Sequence, residues 1–371
     1  MPGHLMIAGT RGIPAKHGGF ETFAQHLALY LVDRGWEVSV FCQSSPDEES
    51  SPLQWNRINR VAIPAPSKGA LGTIVFDWKS TVIASRSADV VLVLGYNTAL
   101  FSWLYRFRSI PSVINMDGIE WKRDKWAWWQ RAWLYVNEQI GGLLSNYMIA
   151  DHPKIKAHLN RGILSHKQIE MIPYGADAID SAPVSPLLAL DVEPYKYLLL
   201  IARPEPENQI LEIVKAFSSK PRGIKLLLVG SYDPIDRKYQ RDVVRAASDE
   251  VLFPGAIYDG NILRSLRYYA MLYLHGHTVG GTNPTLVEAL GAGCAVLAHD
   301  NSFNRWVAGS GALYFTNELD CANKLSELIG EPQRLHAMRE ASRKRFLEEF
   351  RWESVLSQYE RLLESVIAQR V

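Results

Sequence analysis

The run His277-Thr278-Val279-Gly280-Gly281-Thr282-Asn283-Pro284-Thr285-Leu286-Val287-Glu288 holds the residues of this chain best suited to bind a charged ligand. Asn283 is a good N-cap and Pro284 a good first helical residue, so a helix begins there. Gly280, Gly281 and Thr282 then present backbone amides and a hydroxyl at the positive end of that helix, a place that suits a diphosphate. Glu288 lies just over one turn further on, where its carboxylate can accept hydrogen bonds from two ribose hydroxyls. The plainer account of Glu288 is a solvated helix carboxylate. Upstream, Arg203 follows the apolar run Tyr197–Ile201 and is placed to neutralise phosphate charge, unless it merely forms a surface salt bridge. Asn208 can cap the helix after it.

A second glycine-rich turn, Gly9-Thr10-Arg11-Gly12-Ile13-Pro14, follows the first apolar run, and Gly18 and Gly19 open an amphipathic helix with Phe20, Phe23, Leu27 and Leu31 inward. Glycines allow close backbone approach, and the amides of a first helical turn favour an anionic or hydroxyl-rich partner. An ordinary tight strand-to-helix turn would look the same. The spacing departs from the GxGxxG fingerprint of dinucleotide sites, which weighs against hydride transfer. Glu21 and Asp117 are the acceptor-side polar candidates. Each has a plainer role: Glu21 in favouring its helix dipole, Asp117 in capping the turn before Ile119-Glu120-Trp121.

Three cysteines, Cys42, Cys294 and Cys321, lie far apart without metal-ligand spacing, and no DxD motif occurs, so neither a disulfide framework nor a metal site is expected. A reducing cytoplasm fits this usage. Forty Lys and Arg against 39 Asp and Glu give a formal charge of +1, which offers no basic coat for nucleic acid. No segment reaches the ~18 uninterrupted apolar residues of a membrane span, and the N-terminus reads as an early strand rather than a secretion leader.

At 371 residues the chain exceeds one ordinary domain. Apolar runs at Leu5–Ala8, Glu37–Phe41, Val90–Leu94, Ser112–Asn115, Tyr147–Ala150 and Ile169–Ile172 alternate with helical stretches and read as buried parallel strands. A segment with Pro173, Pro183, Pro186 and Pro194 shows no periodicity and reads as a linker. The pattern restarts at Tyr197–Ile201, Lys225–Val229, Val251–Phe253, Met271–Leu274 and Ala295–Ala298. Two Rossmann-like α/β domains result, residues 1–180 and 181–350, with ligands expected in a cleft between them, beyond the carboxyl ends of the strands. Residues 351–371 form a helix expected to pack back on the first domain. The acidic stretch Ser44–Pro52 reads as a surface loop.

From Trp121 to Trp133 the chain interleaves five tryptophans with Lys122, Arg123, Lys125 and Arg131. Trp126, Trp129, Trp133, Val136, Ile140 and Leu143 share one helical face, which reads as core. Trp121 and Trp128 lie off it, and if exposed they would hold the chain to an anionic bilayer.

These motifs resemble glycosyltransferase family 4, retaining and metal-independent enzymes of the GT-B fold, over essentially the whole chain. The family's arginine-then-lysine phosphate clamp corresponds to Arg203 and Asn208, and its two glutamates eight positions apart to Gly280 and Glu288. Both pairs are half altered. GTRGIPAKHGGFET, NMDGIEWKRDKW, IPYGAD, ARPEPEN and VGGTNPTLVEA together resemble a bacterial subgroup of rhamnosyltransferases. That resemblance implies dTDP-β-L-rhamnose as donor, a lipid-diphosphate-linked saccharide as acceptor, no cofactor, and work on surface polysaccharide at the inner face of the plasma membrane. Within it Arg203 and the amides of Gly281, Thr282 and Asn283 would stabilise the leaving diphosphate, while Asp117 or Glu21 orients the acceptor. A sugar-nucleotide epimerase of the same fold and a catalytically silent scaffold are the alternatives.

Overall fold

Near-continuous apolar segments such as Tyr197–Ile201 can be strands only if both faces are covered, and the chain meets that demand with two helix-covered parallel sheets. The computed structural model describes residues 2–15, 18–44, 53–66, 69–123 and 126–369. The first sheet contains β1 (His4–Ala8), β2 (Glu37–Ser44), β3 (Gln54–Trp55), β4 (Ile58–Pro64), β5 (Val90–Leu94), β6 (Ser112–Asn115), β7 (Tyr147–Ala150) and β8 (Gln168–Met171). Its order is β3-β4-β2-β1-β5-β6-β7-β8, with β3 alone antiparallel to its neighbour. The second contains β9 (Tyr197–Ile201), β10 (Lys225–Val229), β11 (Val251–Gly255), β12 (Leu272–His275), β13 (Val296–His299) and β14 (Leu313–Phe315), in the order β11-β10-β9-β12-β13-β14. This is the GT-B pair of Rossmann-like sheets.

Alternation along β9 shows how both faces are used. Leu198 and Leu200 pack with Ile210, Ile213 and Phe217, while Tyr197 and Leu199 pack with Leu266 and Ala289 on the other side. Strands β3, β4 and β14 were not expected. The first two form a short hairpin and the third is three residues long, so none carries the apolar run that marks a buried strand. Ser44 ends β2, and the remainder of the expected acidic loop lies outside the described residues.

Contacts divide the chain into one unit of Met1–Pro173 with Trp352–Val371, and a second of Tyr174–Arg351. The proline-bearing segment is therefore not a bare linker. Ile179, Leu187 and Val192 enter the core of the second unit, the Ile179 amide donates to the Gly291 carbonyl (2.9 Å), and Ser185–Leu188 forms a single helical turn. Prolines suppress helical periodicity but not burial, which explains the misreading.

In the first unit, helix Trp352–Ala368 lays Trp352 and Tyr359 against Phe23 of helix Gly19–Val32, with the Tyr359 and Phe23 ring centroids 4.6 Å apart. The buried Tyr359 hydroxyl also accepts a 2.8 Å hydrogen bond from the side-chain amide of Asn115 at the end of β6. Tyr359→Phe leaves that buried amide without an acceptor. The expected result is a loss of about 1–3 kcal/mol in urea unfolding with an unchanged circular dichroism spectrum.

Candidate functional site

Each sheet reverses its strand order once, between β1 and β5 in the first unit and between β9 and β12 in the second. Outside the carboxyl ends of the strands at such a reversal, the flanking loops part and leave a crevice. Apart from Asp117, which follows β6, the site residues singled out from the sequence follow or flank the strands at these two points.

In the second unit, Arg203 follows β9, and the 276–283 segment follows β12. The two segments are joined: the Thr278 amide (2.9 Å) and hydroxyl (3.0 Å) both donate to the Glu207 carbonyl. A side chain at Gly276 would place its Cβ 2.1 Å from the Asn208 carbonyl oxygen, so only glycine permits this approach. Arg203 is exposed, and among the described residues no hydrogen bond or ion pair engages its guanidinium. Its carbonyl accepts from Asn208 Nδ2 at 2.7 Å.

Asn208 thus differs from expectation. It is buried within a one-turn 3-10 helix, Pro206–Asn208, and Gln209, in the left-handed region at φ 49°, occupies the N-cap of helix Ile210–Ser218. The side chain braces the backbone of Arg203 and caps nothing. A lysine at this position would reach outward, whereas the short amide folds back on the nearest carbonyl.

Asn283 caps helix Pro284–Gly291 as expected, its Oδ1 accepting from the Thr285 amide (3.1 Å) and hydroxyl (2.9 Å). The Leu286 and Val287 amides donate to the Asn283 carbonyl, and Pro284 has no N–H. The first turn of the helix is therefore satisfied internally. The amides left for an anion belong to the preceding loop, at Gly280, Gly281 and Asn283, which no hydrogen bond engages among the described residues. Thr282 is buried. Gly280 sits at φ 125° with open space where its Cβ would stand, so its glycine answers to backbone conformation rather than crowding.

Glu288 is not merely solvated. Its Oε2 pairs with Nη2 of Arg267, a buried arginine on helix Gly260–Tyr269, which fixes the carboxylate one turn into helix Pro284–Gly291. Arg267 escaped the sequence reading, although a lone arginine on the inward face of Leu266 is a legible signal. Beneath this loop His275 is buried and stacks on His277 with ring centroids 4.4 Å apart; burial holds its pKa well below the usual histidine value, so it is neutral.

In the first unit, a cavity of about 210 Å³ opens at the β1–β5 reversal, lined by Gly9, Thr10, Arg11, Glu21, Asp77, Thr98 and Tyr105 among others. Glu21 Oε1 accepts from the Arg11 amide at 3.2 Å, tying the glycine turn to helix Gly19–Val32. Gly18 is extended and supplies the N-cap without a side-chain bond; Gly19 begins the helix. Thr98 Oγ1 donates to Asp77 Oδ2 at 2.6 Å, and burial pushes the Asp77 carboxyl up to about 6. Asp77, Thr98 and Tyr105 were not foreseen. An aspartate inside the apolar stretch Ile74-Val75-Phe76-Asp77-Trp78 was the available clue.

Asp117 follows β6 in the left-handed region at φ 47°, an uncommon conformation for a non-glycine residue. Its amide donates to Asn115 Oδ1 (2.9 Å), whose own amide is held by Tyr359, so the C-terminal helix sets the Asp117 turn. The turn is clamped on its far side too. Tyr96 Oη donates to the Gly118 carbonyl and accepts from the Glu120 amide, and Trp121 Nε1 donates to buried Glu138 (2.9 Å), which also bonds His158 (3.0 Å).

Helix Trp128–Leu144 overturns the expected core stripe. Of its members Trp129 (58 % exposed), Trp133, Val136 and Leu143 face outward and Trp126 and Ile140 are partly buried; Trp128 (81 %), off the stripe, is exposed, while Leu134, Asn137, Glu138 and Gly141 are buried. Partners explain the inversion: Asn137 accepts from the Leu100 amide (2.9 Å), Glu138 holds Trp121 and His158, and Gly141 lets the helix touch Ala99. Trp121 is half-buried, and Lys125 lies outside the described residues.

Residues 190–345 match the family model of glycosyl transferases group 1, and residues 3–177 that of a domain of unknown function, DUF1972. The chain has the GT-B fold, and the group 1 glycosyl transferase match falls on its second unit. Among solved structures it is similar to sucrose-phosphate synthase from Thermosynechococcus elongatus (TM-score 0.80, 17 % identity, 100 % of both chains). It is also similar to Anabaena HepE in complex with UDP and glucose (TM-score 0.78, 16 % identity, 98 % of this chain and 100 % of that one). A trehalose 6-phosphate synthase from Burkholderia multivorans follows at TM-score 0.73 and 11 % identity, covering 100 % of this chain and 98 % of that one. No curated protein matches the sequence. At these identities the structures establish the fold.

Two arginines of the second unit should respond oppositely to loss of their surroundings. Glu288→Ala strands the buried Arg267 cation and should cost roughly 2–3 kcal/mol, below the loss for a fully buried pair because Glu288 keeps some solvent. Arg203→Ala removes an exposed, unpaired side chain and should stay within about 0.5 kcal/mol of the parent in the same urea titration.

Proposed function

We propose that the chain is a retaining glycosyltransferase that takes a hexosyl group, L-rhamnose, from dTDP-β-L-rhamnose and places it on a lipid-diphosphate-linked saccharide during bacterial surface polysaccharide assembly. The observation that carries this reading is the set of groups at the second unit's strand reversal. An unpaired guanidinium, Arg203, and unengaged amides at Gly280, Gly281 and Asn283 flank the β9–β12 reversal, with the Arg267-braced carboxylate of Glu288 one helical turn away. This combination fits a nucleoside diphosphate: cation and amides for the phosphates, carboxylate for the ribose diol. HepE, a structural neighbour, was crystallised with UDP-glucose, which supports a nucleotide-sugar ligand for this fold. The sugar and the base rest on the sequence resemblance.

In the proposed reaction the glycosidic bond to the diphosphate breaks as Arg203 and the loop amides take up the growing negative charge. The acceptor hydroxyl attacks from the same face, and the departing phosphate oxygen removes its proton. Protein donors supply all of the charge stabilisation, so no metal is invoked. Asp117 and Glu21, on the first unit, orient the acceptor. Arg203→Ala should lower turnover at least a hundredfold with the fold intact, and dTDP should raise the melting temperature of the parent more than UDP or GDP at equal concentration. Near-normal turnover in the variant, or no stabilisation by any nucleotide, would refute the reading.

A lipid-linked acceptor calls for a way onto a bilayer. Among the described residues no helix is long and apolar enough to cross one. Four neighbouring helical elements of the first unit nevertheless expose apolar residues at about one-turn spacing: Leu71, Ile74 and Trp78; Leu100, Trp103 and Phe107; Trp129, Trp133 and Val136. Their exposed charges, Lys79, Arg86 and Arg106, are all positive, and their two carboxylates, Asp77 and Glu138, are held by Thr98 and by Trp121 with His158. Apolar and cationic side chains together suit an anionic membrane surface. The full chain should float with vesicles of phosphatidylglycerol and phosphatidylcholine at low salt but not with phosphatidylcholine alone, and Trp103→Ser with Phe107→Ser should reduce flotation severalfold. Failure of the parent to float would remove the membrane from the proposal.

A further inference from the structure

The cavity at the β1–β5 reversal is chemically unlike the second unit's crevice. Its charged side chains are one arginine, Arg11, and two carboxylates, Glu21 and Asp77. A phosphate or carboxylate entering it would meet two like charges, whereas hydroxyl groups would donate to both. The Tyr105 hydroxyl is fully buried in the cavity wall beside the Thr81 side chain, and among the described residues no hydrogen bond of good geometry engages it. A buried phenol left in that state costs free energy unless a ligand or water completes it. Asp77 is half committed: Thr98 occupies Oδ2, and among the described residues no hydrogen bond engages Oδ1. Phe76, Val93 and Leu94 give the same cavity an apolar wall.

We propose that this cavity is a binding site for a neutral, polyhydroxylated ring, with Asp77 accepting from ring hydroxyls, Tyr105 completing its hydrogen bond on another, and Phe76 against the ring's C–H face. The size agrees, since about 210 Å³ admits a single pyranose ring and little more. Burial raises the Asp77 carboxyl to about 6, against the hydrogen bond from Thr98, which lowers it. Identifying this ring as the acceptor's terminal sugar rests on the transferase reading; the existence of the site does not. It makes Asp77 and Tyr105 specificity-determining residues that recognise hydroxyl positions, because a ring lacking the matching hydroxyl forgoes the hydrogen bonds to Asp77 Oδ1 and the Tyr105 hydroxyl.

Saturation-transfer NMR on the full chain tests this, with methyl β-D-glucopyranoside, methyl β-D-galactopyranoside and methyl α-L-rhamnopyranoside as probes and inorganic phosphate as the anionic competitor. At least one glycoside should bind in the millimolar range and resist displacement by phosphate. Asp77→Asn and Tyr105→Phe should each weaken it at least tenfold while dTDP titrates as in the parent. If Asp77→Asn fails to fold, Tyr105→Phe decides alone, since it removes one oxygen. Absence of binding by every glycoside, displacement by phosphate, or equal affinity in the folded variants overturns the site. Retention of dTDP binding in that event leaves the nucleotide-sugar reading standing, whereas loss of dTDP binding by the parent with glycoside binding intact fails that reading alone.

Discussion

Both candidate sites depend on backbones touching at the carboxyl ends of parallel strands. At Gly9, past β1, a Cβ would lie 2.2 Å from the carbonyl oxygen of Leu94 at the end of β5; at Gly276, past β12, it would lie 2.1 Å from that of Asn208. Each glycine sits where its sheet reverses direction. Only there do the helices on either side lead away from one another, so the space above the two strand ends is filled by neither. A side chain at either position would have to push the loops apart, and with them the groups that line the crevice.

Around these contacts the protein spends buried polar groups on position. Tyr359 holds Asn115, and Asn115 holds the amide of Asp117. Glu138 gathers Trp121 and His158 beneath the following turn, and Arg267 fixes Glu288. In each case a group that would be costly if left alone is satisfied by one that needs to be aimed. This explains why a helix from the far end of the chain belongs to the first unit: Trp352–Ala368 supplies apolar cover and one hydroxyl on which the Asp117 turn is hung.

The groups at the two strand reversals differ in electrostatic character. One offers the Arg203 guanidinium, loop amides and the Glu288 carboxylate; the other offers Arg11, two carboxylates and several hydroxyls. The group 1 domain match over residues 190–345 falls on the first of these. The exposed apolar and basic residues belong to helices that also wall the second crevice, since Asp77 and Trp78 share helix Ala70–Ser87, as do Thr73 and Ile74. A membrane-bound acceptor and its binding cavity would then be served by the two sides of the same helix.

The sequence by itself determined the alternation of buried strands with helices, the two Rossmann-like sheets and the glycine turns, because apolar runs, N-caps and glycines act on a few neighbouring residues. Asn283 and Pro284 start their helix through contacts one to three residues away, which is why that boundary was legible. Only the tertiary structure decided the rest. Whether Trp129 and Trp133 face core or solvent depended on Asn137, Glu138 and Gly141 finding partners in distant segments, and periodicity carries no information about partners. Asn208 turned inward because a carbonyl five residues back lay within reach. Arg267, Asp77 and Tyr105 became site residues because the sheet order brought their helices to a reversal, an arrangement set by packing across the whole unit rather than by any local stretch of chain.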